Sequence, residues 1–154
     1  DWKVKSIRVV ITTGPWSPTG LTVSFRNDAG GTHGSVFSTQ DISVDDITFT
    51  DTGDNSFAFD WFYADVPISA VNLNAGASYW MEVGVFETTS NYFCESKLNP
   101  ITGTQAWVDY SDFGGLQPAS NIFGVQADMV FDIAIERFNA FDPFHSVTVN
   151  TFDF

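Results

Sequence analysis

Apolar and polar residues alternate along this chain in short runs, each closed by Gly, Pro, Asn or Asp, and a period of two is the pattern of half-buried strands. The clearest run is Ala77-Ser-Tyr-Trp-Met-Glu-Val-Gly-Val-Phe86. Trp2 to Ile11 alternates before becoming continuously apolar, and Leu21 to Phe25 alternates cleanly. Further strands are expected at 35–38, 42–50, 57–63, 66–73, 92–95, 106–110, 122–125 and 129–136. Pro67 has no N–H to give to a ladder, which marks its run as an edge or a strand start. Turns are expected at Thr12 to Gly20, Asn27 to Gly34, Asp51 to Asn55 and Asn74 to Gly76. No segment carries a long helical period.

This punctuation predicts an all-β, antiparallel two-sheet sandwich, jelly-roll-like, over residues 1–137. Residues 138–154 form a Pro-bearing connector, Phe138 to Phe144, and an extended C-terminal strand, His145 to Phe154. With 154 residues the chain can bury a core without disulfide staples. Its apolar content is strongly aromatic, with 16 Phe, 5 Trp and 4 Tyr, as strand-rich proteins favour.

Six Lys and Arg against 19 Asp and Glu give a net charge of −13, which repels phosphate backbones and anionic membranes. Nucleic acid is excluded as a partner, and no apolar run reaches membrane-spanning length. Between Asn27 and Ser96 there is no Lys or Arg but there are 11 acids, a surface that needs solvation or bound cations. Its plain role is to keep a sticky aromatic protein in solution. Cys94, the sole cysteine, lies beside aromatics and reads as a buried, inert thiol. The start at Asp1 is read as a removed or omitted leader.

Three segments carry a resemblance: Trp2-Lys-Val-Lys-Ser-Ile-Arg-Val-Val, Val71-Asn-Leu-Asn-Ala-Gly-Ala-Ser-Tyr-Trp-Met-Glu-Val and Ala127-Asp-Met-Val-Phe-Asp-Ile-Ala-Ile. Together they resemble the entry, middle and closing strands of secreted bacterial β-sandwich domains found in proteins with Pro-Glu-Pro C-terminal sorting tails. The resemblance implies an extracellular or cell-surface sandwich. It departs at the end, where a strand stands in place of the sorting signal. In such domains an acidic-aromatic segment precedes the first strand; here Thr151-Phe-Asp-Phe154 is similar to it but sits at the other terminus.

That placement singles out Val147, Val149, Phe152 and Phe154 as subunit-interface residues. Val147 and Val149 share one parity while Phe152 and Phe154 take the other, so a regular strand offers no single apolar face, and a bulge or two-sided burial is needed. In one reading the strand returns within its own chain beside the first strand. In the other it is donated to a neighbouring copy, where main-chain hydrogen bonds give affinity and alternate side chains fill pockets. Such a contact is head to tail and builds an open filament, a homopolymer, unless the rotation closes.

Asp45, Asp46, Asp51 and Asp54 offer the hard oxygen ligands that calcium, the candidate cofactor, prefers, with Asp28 as a further donor. The same Asp and Gly residues also make ordinary hairpin turns. His33 and His145 are too far apart in sequence for a clustered transition-metal site, and His33 in its Gly-rich loop is expected to be solvated. No nucleophile motif or phosphate-binding loop occurs, so a non-enzymatic role is expected. The alternative to a structural subunit is a monomeric carbohydrate-binding, lectin-like module that stacks a polysaccharide on Trp16, or on Trp61 with Tyr63. Trp80 and Trp107 fit core strands better.

Overall fold

The computed structural model describes residues 1–12, 19–56, 59–85, 93–94, 96–98, 107–110, 115–129 and 131–137. In chain order the strands are β1 (Trp2–Thr12), β2 (Gly20–Asp28), β3 (His33–Ser43), β4 (Thr48–Ser56), β5 (Phe59–Leu73), β6 (Tyr79–Val85), β7 (Phe93–Cys94), β8 (Ser96–Leu98), β9 (Trp107–Tyr110), β10 (Gly115–Pro118), β11 (Ala127–Met129) and β12 (Phe131–Arg137). A 3-10 turn spans Val44–Asp46, and one short helix, α1, spans Ala119–Phe123.

The fold is the expected antiparallel sandwich. One sheet runs β12-β1-β5-β4, with β7 added at the end of β1, and the other runs β3-β2-β6. The chain passes from the first sheet to the second after β1, back after β3 and across again after β5, the alternation of a jelly roll. Two short ribbons, β9 with β10 and β8 with β11, complete the described ladders.

Cross-strand register explains the core. In the first sheet Phe131, Val9, Ala64 and Phe49 form one row, and Ile133, Ile7 and Val66 form the next. Residues directly opposite share a face, so each row presents apolar groups to the same side. Leu21, Val23 and Phe25 on β2, with Ile42 on β3 and Met81 on β6, join these rows in one buried cluster. Each such side chain removed from water contributes roughly 1.5–3 kcal/mol.

Val4 and Ile7 are both buried although three residues apart, because the ladders on both sides of β1 shift register between Val4 and Ser6. Opposite that shift, three residues of β5, Ile68 to Ala70, face the single Lys5, and Ala70 takes φ 56°.

Several expected boundaries move. Residues 59–63 and the run at 66–73 belong to one strand, β5, with Pro67 inside it. Pro67 is tolerated because β4 pairs only as far as Asp65, so Pro67 has a ladder neighbour on the β1 side alone among the described residues. Residues 35–38 and Ile42 belong to one strand, β3, and the 3-10 turn separates it from β4. The run at 122–125 is not a strand: α1 ends there on Gly124, whose φ of 72° and N–H to the Ser120 carbonyl (2.9 Å) make a left-handed cap. Asp51 to Asn55 is not the hairpin turn either. It is a bulge inside β4, which resumes pairing with Asn55 opposite Asp60 and Ser56 opposite Phe59.

Candidate functional site

A strand-addition reading needs an open sheet edge. Both edges of β1 are occupied: β12 lies along Trp2 to Val9, β7 along Ile11 and Thr12, and β5 lies along the other side from Trp2 to Ile11. The place beside the first strand is therefore taken along residues 2–12. Val147, Val149, Phe152 and Phe154 themselves lie outside the described residues, as does Trp16. Among the described residues, β3, β4, β6 and β12 are sheet-end strands with no strand on their outer side.

Of these, β3 and β4 differ sharply in chemistry. On β4 the residues Thr52, Gly53 and Asp54 all face Trp61. Asp51 Oδ1 accepts the Gly53 N–H at 2.8 Å, Gly53 takes φ 78°, and the Thr52 hydroxyl donates to the Trp61 carbonyl at 2.9 Å. Exposed carboxylates and a broken ladder protect this edge from pairing with another chain. On β3, by contrast, Val36 and Phe37 are 43% and 40% exposed. Phe37 is the extra residue of a bulge, since Arg26 pairs with Val36 and Phe25 with Ser38. Its ring lies 5.5 Å from that of Tyr79 and 6.4 Å from that of Phe25. Farther along β3, Gln40 turns inward and ties this sheet to Ser69 of the other.

The carboxylates do not assemble a cation site. Among the described residues no three His, Cys, Asp or Glu side chains converge on one point. Asp45 and Asp46 sit exposed on the 3-10 turn, where Ser43 Oγ accepts the Asp45 N–H, while Asp51 and Asp54 lie on the β4 bulge. Asp28 is committed elsewhere. Its carboxylate accepts the Trp80 indole N–H at 2.8 Å and the Gly30 and Gly31 N–H groups at 3.0 to 3.2 Å. The Trp80 bond first, then those amides, hold the Asp28 carboxyl below its ordinary range. The four proposed calcium ligands thus do not fit one ion.

The outward face of the first sheet gathers the other candidates. Trp61 and Tyr63 are two apart on β5 and so share a face, about 7 Å apart along the strand. Tyr63 is 39% exposed and has the Arg8 guanidinium 5.3 Å from its ring centre. Arg8 also forks onto Asp65, with both N–H···O distances 2.7 Å, and faces Asp132 across the ladder. Hydrogen bonding from Arg8 draws the Asp65 carboxyl down, and the same pair raises Arg8 above its ordinary value.

Trp80 is buried, as its strand position implies, and Trp107 is half-buried. His33 is not simply solvated: its ring meets Trp107 edge-on at 4.8 Å. Residues that the sequence reading passed over are Val36, Phe37 and Gln40. The one local signal for them is a pair of adjacent large apolar residues in a stretch, Gly34 to Gln40, otherwise made of Gly, Ser, Thr and Gln. No protein-family model, curated protein or solved structure matches this chain.

Proposed function

We propose that this chain is an extracellular structural subunit that forms a head-to-tail filament, giving residues 146–154 to the sheet of a neighbouring copy. The observation that supports the reading is the double occupancy of β1, which leaves neither side of the first strand free for that segment. Two further features support it. Sheet-end strands remain at β3, β4, β6 and β12 among the described residues. The segment itself, Ser-Val-Thr-Val-Asn-Thr-Phe-Asp-Phe, is rich in β-formers, has no Pro and carries one charge.

Size-exclusion chromatography and negative-stain imaging of the intact protein test this directly. Filaments or a concentration-dependent ladder of oligomers are expected, and deletion of residues 145–154 is expected to leave monomers. The same polymers persisting after deletion overturns the reading.

A second reading is favoured by one observation, the shared outward face of Trp61 and Tyr63. Two aromatic rings at that spacing, rimmed by Arg8 and Asp65, suit stacking against successive sugar rings of a polysaccharide. Retention on immobilised polysaccharide that is lost in Tyr63→Ala supports this module, whereas passage of monomeric protein without delay counts against it.

A further inference from the structure

We propose that β3 is the acceptor edge, taking residues 145–154 of a second copy in antiparallel pairing with Val147 opposite Gln40, Val149 opposite Ser38 and Phe152 opposite Ser35. This rests on the strand-donation reading above and gives it an address and a register.

The choice of edge follows from length and from how each is protected: β6 and β12, the other sheet-end strands, are 7 residues each, shorter than the segment, and β12 carries Asp132, Glu136 and Arg137. β4 is interrupted by its three-residue bulge and displays Asp51 and Asp54. β3 is 11 residues long, contains no Pro, Lys or Arg, and has a single carboxylate, Asp41, which accepts the Thr22 hydroxyl at 2.6 Å. It also leaves Val36 and Phe37 in water. A long edge with little charge and exposed apolar groups is the kind that accepts another strand. The ten residues from His145 to Phe154, extended at about 3.3 Å each, match its length.

The register follows from parity. Ser38, Gln40 and Ile42 pair with Phe25, Val23 and Leu21, so these even-numbered residues share the buried face. At Phe37 the strand changes phase. Val36 pairs with Arg26 on the opposite face, and Ser35 lies on the side of Asn27, whose amide N–H donates to the Ser35 hydroxyl at 3.2 Å.

The donated sequence carries the same change. Val147 and Val149 are odd-numbered and Phe152 is even-numbered, an arrangement no regular strand can place on one side. Opposite a strand that changes phase at Phe37, all three fall on the side where Phe37 rests on Phe25 and Tyr79. Thr148 and Thr151 fall on the other. Asn150 comes opposite Phe37 itself, Phe154 comes opposite His33, and no acid faces an acid. The exposed part of the Phe37 ring is thereby covered by the flanking Val149 and Phe152.

Disulfide trapping in the full-length chain tests both edge and register. In a Cys94→Ser background, Thr39→Cys with Thr148→Cys places directly opposed cysteines on one face, within the Cα separation a disulfide spans. Mild oxidation is expected to convert this protein into a ladder of covalent oligomers on a non-reducing gel. Thr39→Cys with Val149→Cys, one residue out of register and on the wrong face, and Thr50→Cys with Thr148→Cys, on the β4 edge, are expected to yield at least about tenfold less. As a check that avoids new cysteines, Val36→Lys is expected to cut sedimentable polymer on the order of tenfold while leaving the circular dichroism spectrum intact.

The outcomes separate the two claims. Trapping through Thr50 overturns the β3 address and keeps strand donation, as do polymers in which neither Thr39 pair is trapped. A Thr39–Thr148 crosslink that forms only within single chains keeps the edge but overturns donation. Monomeric protein without any crosslink overturns both.

Discussion

The Gln40 carboxamide engages both backbone polar groups of Ser69. Its Nε2 donates to the Ser69 carbonyl at 2.6 Å, and its Oε1 accepts the Ser69 N–H at 2.9 Å and the Ser69 hydroxyl at 3.1 Å. One side chain thus does for β5 what a neighbouring strand would do, at the stretch where β4 no longer runs alongside. It joins the end strand of one sheet to the kinked part of the other.

Gln40→Ala is expected to lower stability by about 1–2 kcal/mol in urea unfolding, the net worth of two such bonds at a partly solvated site. Gln40→Glu is the sharper variant. A carboxylate still accepts from Ser69 but cannot donate to its carbonyl, so a comparable loss is expected at pH 7 and partial recovery below pH ~4, where the acid regains a donor. A pH-independent deficit would show that the Ser69 contact is not the cause.

Ala70, next along the chain, holds φ 56°. An L-residue there carries roughly 1–2 kcal/mol of strain that Gly does not. Ala70→Gly is expected to be neutral to stabilising by up to ~1 kcal/mol, because the added freedom of the unfolded chain offsets part of the relief. Ala70→Val is expected to be clearly destabilising. Thermal melting of the two variants checks the sign.

Asp65 and Asp28 set the response to acid. Both carboxyls are depressed in the folded state, the first chiefly by Arg8 and the second chiefly by Trp80. A group whose folded pKa lies below its unfolded value stabilises the fold above the unfolded value, near 3.9 for Asp, and that stabilisation is lost as pH falls through the folded value. Stability is therefore expected to decline from about pH 4 downward. Asp65→Asn should flatten part of that slope. Because Trp80 donates to Asp28, tryptophan emission should shift over the same acid range in the folded protein and lose that shift in Asp28→Asn.

Phe25 packs at the centre of the second sheet and is 2% exposed. Phe25→Ala is expected to cost about 3–5 kcal/mol, a large share of the ~5–15 kcal/mol that holds a domain together. Phe37→Ala, removing a ring already 40% in water, should cost much less. Equal losses at the two positions in urea titrations would contradict the burial described for them.

Local pattern and long-range pairing divide the molecule between them. The alternation of β1, β2 and β6 follows from side chains that point to opposite faces every second residue, so it is written into neighbouring residues. Pro67 sits inside a strand that has neighbours on both sides, but at the stretch beyond Asp65 where, among the described residues, only β1 runs alongside, as its missing N–H requires. Asp51-Thr-Gly-Asp shows where such reading stops. An Asp side chain capping a Gly N–H at positive φ serves a turn and a bulge equally well, and the difference lies in whether the chain goes on pairing afterwards, as it does at Asn55.

Asp45, Asp46, Asp51 and Asp54 do not converge on one point for a related reason. Carboxylates close in sequence on a 3-10 turn and a bulged strand are carried apart by the backbone between them. The choice of partners for β1, the phase change of β3 at Phe37 and the Gln40–Ser69 tie all join residues far apart in the chain, 29 positions in the last case. Sequence spacing cannot encode such contacts one by one. They exist because two twisted sheets must close over a shared core, and closing them selects which edges are walled in and which are left open.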